Sequence, residues 1–234
     1  MKLVIDNLKK SFGDKKVLNN IDFEFEEGKI YGLLGRNGAG KTTLFNCLNE
    51  DIDIDNGRFY IKDKEIRNIN SNDIGYVLSL PIVPDFLTGR EFLKFFIDIN
   101  KDRITNIKSL DEYFDIVKIA SEDRDRLMKN YSHGMKSKMQ LLVNFIANPK
   151  ILLLDEPLTS FDVVVASDME EILKNMKKDH ILIFSTHIME LALNLCDEIV
   201  LLNNGKLEKV ESKNLSNKAL KDKIINVLKG DNNA

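Results

Sequence analysis

The segment Gly35-Arg36-Asn37-Gly38-Ala39-Gly40-Lys41-Thr42 stands between an apolar run, Ile30–Leu34, and a helical pattern at Thr43–Leu48. That order predicts a strand turning through glycines into a helix, and so an α/β core built round a loop of inward-facing backbone N–H groups. Such a loop suits phosphate: the N–H groups surround the anion, Lys41 adds a cation for the β- and γ-phosphates, and the Thr42 hydroxyl is a ligand for Mg2+. A chance match in an unrelated loop would lack the flanking strand and helix.

The complementary half is Ile151-Leu152-Leu153-Leu154-Asp155-Glu156. Its apolar residues are continuous rather than alternating, which predicts a parallel strand covered on both faces. Successive strand side chains point to opposite faces, so Asp155 is assigned to the metal shell and Glu156 to the attacking water. A strand ending in an acidic turn is common, but it would not explain the order of these segments. Ser185-Thr186-His187 follows the run Ile181–Phe184, at a strand end where open α/β sheets place ligand contacts, and this makes His187 a candidate sensor of the γ-phosphate. The three histidines have no metal-ligand spacing, so a zinc site has no support.

A second phosphate-type loop, Tyr131-Ser132-His133-Gly134-Met135, sets a small polar residue and a glycine at the mouth of an amphipathic helix. One nucleotide rarely needs two such loops from one chain. The loop is therefore expected to serve a nucleotide held by another copy, as in a dimerising ATPase.

The 37 acidic residues nearly balance 34 basic ones, so no domain-wide basic field argues for nucleic acid or for an anionic bilayer, and no nucleic-acid partner is expected. Cys47 and Cys196 are far apart in apolar segments that read as helix, which predicts buried thiols in a reduced cytosolic chain. The N-terminus becomes charged too soon for a secretory signal, and no apolar run approaches the ~20 residues that cross a bilayer. Any membrane crossing is expected to fall to another chain.

Strands are predicted at Leu3–Ile5, Ile21–Phe25, Ile30–Leu34, Arg58–Ile61, Ile74–Leu78, Ile151–Leu154, Ile181–Phe184 and Ile199–Leu202. From about Thr88 to Ala147 the period is helical, which predicts a helical insert; Asn214 to Gly230 predicts a terminal amphipathic helix whose apolar side packs on the core or, less commonly for such a pattern, binds a partner. Asp51-Ile52-Asp53-Ile54-Asp55 imitates the start of a calcium loop, but Asn56 and Lys62 stand where glycine and glutamate are needed, so it is read as a solvated turn.

With these residues in place, the chain resembles the nucleotide-binding subunit of an ABC transporter over nearly everything from Leu3 to about Gly205. Gly35–Thr43 looks like the Walker A motif, Ile151–Glu156 like Walker B, and Thr159–Asp162 like the D-loop. Tyr131–Met135 stands where that family has its signature, His187 where it has the switch histidine, and Phe12 where an aromatic ring stacks on adenine. The resemblance implies an α/β, RecA-like P-loop NTPase core with a small antiparallel β subdomain (1–87 and 148–213), an inserted α-helical subdomain (88–147), and a C-terminal helix and tail (214–234).

It also implies that two subunits, either two copies or one copy and a related ATPase subunit, sandwich two ATP molecules head to tail. Each nucleotide would meet Gly35, Arg36, Asn37, Gly38, Ala39, Gly40, Lys41, Thr42, Thr43 and Glu156 of one chain and Ser132, His133, Gly134 and Asp162 of the other. Tyr131–Lys136 and Leu87–Phe92 are similar to subunits of drug, antibiotic and bacteriocin-immunity exporters, which pair with a separate transmembrane permease. That places the chain in the cytoplasm, peripheral on the inner face of the membrane. Pro81–Phe86, apolar and proline-bearing, is a seat for that partner or an ordinary surface loop.

Ser79 departs from the family, falling where relatives carry a Gln or Glu that reaches Mg2+ and the attacking water. Serine is too short to do so without a bridging water, which points to slower hydrolysis or a regulatory ATP-binding module. A non-transport ABC ATPase is a further alternative, although such chains usually carry coiled coils, zinc modules or two cassettes.

Overall fold

The computed structural model of the chain describes residues 1–104, 106–157, 163–210 and 224–225. Its strands are β1 (Lys2–Phe12), β2 (Lys15–Glu26), β3 (Lys29–Leu34), β4 (Asn56–Lys62), β5 (Ile66–Asn68), β6 (Ile74–Val77), β7 (Ile151–Asp155), β8 (Ile181–Thr186), β9 (Glu198–Asn203) and β10 (Lys206–Val210). Its helices are α1 (Lys41–Leu48), α2 (Gly89–Asn100), α3 (Leu110–Ile116), α4 (His133–Ala147), α5 (Val163–Met176) and α6 (Met189–Leu195).

Among the described residues the strands form two sheets. One is antiparallel in the order β2-β1-β4-β5; the other runs β10-β9-β3-β8-β7-β6 and is parallel from β9 to β6, with β10 antiparallel at its edge. The continuous apolar runs of β7 and β8 follow from this position. Ile151, Leu153, Ile181 and Ile183 join the core shared with α1 and the antiparallel sheet, whereas Leu152, Leu154, Leu182 and Phe184 join the core shared with the helical segment. All eight are fully buried. A strand with both faces covered has no position left for a polar residue until it reaches its end.

The helical segment closes on Leu93, Phe114, Met128, Tyr131, Met139 and Leu142. Thr88 with Glu91 caps α2, and Ser109 with Glu112 caps α3; in each pair the hydroxyl accepts from the third residue's N–H while the carboxylate accepts in return. Arg90 and Arg124 lie 5.9 and 5.4 Å from the Phe114 ring centroid and share Asp111. On α4, buried Lys138 donates to Asp168 of α5 at 2.8 Å, and Lys118 reaches the same carboxylate at 3.1 Å. Burial pushes the Asp168 carboxyl up, but the hydrogen bonds from Lys138 and Lys118 outweigh it and hold the group below the usual carboxylate range.

The strands expected at Leu3–Ile5 and Ile21–Phe25 extend much further. The polar stretch Asn7–Ser11 hides β1's continuation, and the register shifts where Asn7 takes a positive φ of 53°. β5 and β10 lie outside the predicted runs, since three exposed residues and a lysine-rich edge leave little apolar signal. Cys196 stands one residue past α6 rather than within a helix. Burial pushes the Cys47 thiol up to about 11 and raises Cys196 as well, so both thiols stay protonated. Of the expected terminal helix only Ile224 and Ile225 are described, and Ile224 packs with Leu34, Ala192, Ile199 and Val210; the remainder lies outside the described residues.

Candidate functional site

The C-terminal ends of β3, β8 and β7 lie side by side, and there the buried strands end in polar residues. Beyond β3 the chain turns through Gly35–Gly40 into α1. Gly40 caps that helix with φ at 107°, and a Cβ on it would lie 2.8 Å from a Val17 methyl, so both its conformation and its neighbour require glycine. The Lys41 ammonium is buried beneath the loop; it donates to the Gly35 carbonyl at 2.7 Å and lies 3.5 Å from Glu156 Oε1.

The Thr42 hydroxyl donates to Asp155 Oδ2 at 2.7 Å, and the buried Ser185 hydroxyl donates to Asp155 Oδ1 at 2.6 Å. Ser185 Oγ in turn accepts from the Glu156 N–H at 3.0 Å. Glu156 itself has φ at 48°, a left-handed conformation that costs a non-glycine residue on the order of 1–2 kcal/mol. His187 Nδ1 lies 3.0 Å from Glu156 Oε1, within hydrogen-bond distance. β8 and the residue that follows it thus supply a serine and a histidine that meet the two carboxylates at and just past the end of β7.

An open cleft of about 450 Å3 fronts these groups, with Phe12, Lys15, Val17, Gly38, Lys41, Thr42, Thr43, Ser79, Asp155 and Glu156 in its wall. Phe12 ends β1 and is 53% exposed, and Lys10 Nζ lies 5.4 Å from its ring centroid. Asn37 and Gly40 also face this cleft, whereas Arg36 and Ala39 face a second one of about 270 Å3 beside Lys16 and Asn204. Thr42 and Asp155 are a pair of hard oxygen donors, and because the Thr42 proton is directed at Asp155 its lone pairs are left for a cation. That donor chemistry fits Mg2+.

The second loop lies elsewhere. Ser132, His133 and Gly134 are not in the wall of the 450 Å3 cleft. Exposed Ser132 caps α4, its hydroxyl accepting from the Met135 N–H at 3.2 Å, and Gly134 packs on Val165 of α5, where a Cβ would sit 3.1 Å from a methyl. Tyr131 belongs to the core, and its hydroxyl donates to the Asp123 carbonyl at 2.8 Å. Gly89 makes room for that hydroxyl, since a Cβ there would lie 2.2 Å from it. Asp162 lies outside the described residues. Ser185 and Lys15 were not assigned as site residues; the signal for Ser185 was its place with Thr186 at the end of the apolar run Ile181–Phe184.

A family model described as ABC transporter matches residues 18–159. The chain is 37% identical over 212 residues to the uncharacterized ABC transporter ATP-binding protein MJ1023 of Methanocaldococcus jannaschii, which spans 88% of this chain and 75% of that protein. It is 30% identical over 206 residues to the lantibiotic transport ATP-binding protein SrtF of Streptococcus pyogenes, covering 88% of each. Among solved structures, an ATP binding subunit of an ABC transporter matches with a TM-score of 0.79 over 98% of this chain and 100% of the other; at 20% identity this is a likeness of fold. The chain therefore belongs to the ABC transporter family, as an ATP-binding subunit and an ATPase.

Proposed function

We propose that this ATPase works as half of a head-to-tail pair, with a second copy or a related subunit, and drives export through a separate membrane-spanning permease. One observation carries the pairing. Lys41, Thr42, Asp155 and Glu156 line one cleft, with His187 against the Glu156 carboxylate, while exposed Ser132 caps a helix outside its wall. A helix N-terminus with a free-facing hydroxyl suits the γ-phosphate of a nucleotide bound by the other chain, so ATP would close the pair and hydrolysis would release it.

Within a site, the loop N–H groups and Lys41 hold the phosphates, and the exposed face of Phe12 takes the adenine ring. Thr42 and Asp155 hold Mg2+, which neutralises phosphate charge when bound. Glu156 orients and deprotonates the attacking water, with His187 keeping its carboxylate in place. Asp162 is assigned to the partner's site by family resemblance. The export direction rests on the signature Tyr131–Lys136 and on the likeness to the lantibiotic transport protein.

Among the described residues no helix is long and apolar enough to cross a membrane, which supports a separate permease. Pro81–Phe86 is the segment proposed to seat it on the inner face of the membrane; Ile82 and Phe86 within it are exposed at 74% and 78%, and Leu80 beside it at 75%.

Mixing two inactive variants tests the pairing. Lys41→Ala and Ser132→Arg chains each hydrolyse little ATP alone. In a mixed pair one site carries both defects and the other neither, so an equal mixture regains about a quarter of wild-type turnover under random association. A mixture as inactive as its components would sink the shared site. A second reading, slow turnover, rests on Ser79, whose short side chain is in the cleft wall; Ser79→Gln tests it by turnover.

A further inference from the structure

We infer that Ser185 is a positioning residue of the ATPase, holding the Asp155 carboxylate in the orientation that faces Thr42. It rests on the assignment of Asp155 to the metal side of the site. A carboxylate at a strand end can rotate about its Cα–Cβ and Cβ–Cγ bonds, and in a buried setting each unsatisfied oxygen is costly. Asp155 is 5% exposed, and each of its oxygens has one short partner: Ser185 Oγ at 2.6 Å on Oδ1 and Thr42 Oγ1 at 2.7 Å on Oδ2. Thr42 lies on the loop side and is itself assigned to the cation. Ser185 is therefore the partner that fixes the carboxylate independently of what the loop holds.

The same serine steadies the next residue. Its hydroxyl and its carbonyl both accept from the Glu156 N–H, at 3.0 and 3.2 Å, across the β7–β8 pair in which Asp155 stands opposite Ser185. Two acceptors on one N–H hold the left-handed turn at Glu156 in place. Removing the hydroxyl leaves the carbonyl, so Glu156 keeps one acceptor while Asp155 Oδ1 loses its only short partner among the described hydrogen bonds. The loss therefore falls on the metal side first. A hydroxyl that orients a ligand without touching the ion acts as an outer-shell partner, whose removal typically costs about 10–100-fold in metal affinity.

The test measures Mn2+ binding to the protein–ADP complex by the paramagnetic resonance signal of free Mn2+, which does not depend on turnover. Ser185→Ala should weaken Mn2+ about tenfold, with ADP affinity in EDTA unchanged. Ser185→Cys, which restores side-chain volume with a weak S–H donor, should fall between Ala and wild type. Ile183→Val, a truncation of a fully buried residue two positions back in β8, should lower the unfolding temperature and leave Mn2+ affinity alone. Wild-type Mn2+ affinity in Ser185→Ala, or an equal loss in Ile183→Val, overturns the positioning role. If Asp155→Asn leaves Mn2+ affinity unchanged, the metal assignment itself fails, and the inference with it.

Discussion

The P-loop end of the sheet and the head of α4 both present what a phosphate needs, but they hold it differently. At the sheet end the polar side chains are tied down within the chain: Lys41 to the Gly35 carbonyl, Thr42 and Ser185 to Asp155, His187 to Glu156. At the head of α4, Ser132 caps its own helix and its hydroxyl has no further partner among the described residues, while Tyr131 and Gly134 beside it are occupied with packing. The first region is organised before anything binds. The second offers a rigid mount and one exposed hydroxyl, the form expected of a surface completed by another molecule.

This contrast predicts that substitutions at the sheet end change chemistry with little change in stability, and that those under α4 do the reverse. The largest effect should come from Glu156→Gln, which keeps the side chain's shape and removes the base: phosphate release should drop about 10²–10⁴-fold while ATP still binds and gel filtration with ATP shows accumulated dimer. Near-normal turnover would remove Glu156 from the chemistry. Next is Gly89→Ala, whose methyl would meet the Tyr131 hydroxyl. Denaturant unfolding should show a loss of about 1–3 kcal/mol, partly recovered in a Tyr131→Phe background because the hydroxyl that clashes is gone. An unchanged unfolding midpoint would mean that the helical segment is less tightly packed than described. The smallest is Ser79→Gln, expected to raise turnover about threefold to tenfold, a change of about 1 kcal/mol in the barrier. No gain would clear Ser79 of limiting the rate.

The sequence was most legible where chemistry restricts residue type. Only glycine suits Gly40, and only a strand buried on both faces needs four apolar residues in a row before Asp155, so the loop and the paired carboxylates stood out. It was least legible where the same fold tolerates many residues. β1 runs on through Lys9 and Lys10 because one face of that sheet is solvated, and no apolar pattern marks it. Ser185 stood at a recognised strand end without a role for a different reason: a serine in sequence does not reveal that a carboxylate will stand across the β7–β8 pair from it. The head of α4 was recognisable, yet its meaning depends on a second molecule, which one chain's folding does not specify.

The ion pair between α4 and α5 has a mechanical consequence. Lys138 is buried, so pulling it from Asp168 would strand a charge away from water, a penalty of several kcal/mol that opposes separation of the two helices. Gly134 seated on Val165 adds a contact two residues from Ser132. Separating α4 from α5 would break this pair and lift Gly134 off Val165, so the mount that carries the Ser132 hydroxyl is tied to the neighbouring helix and not to its own loop alone.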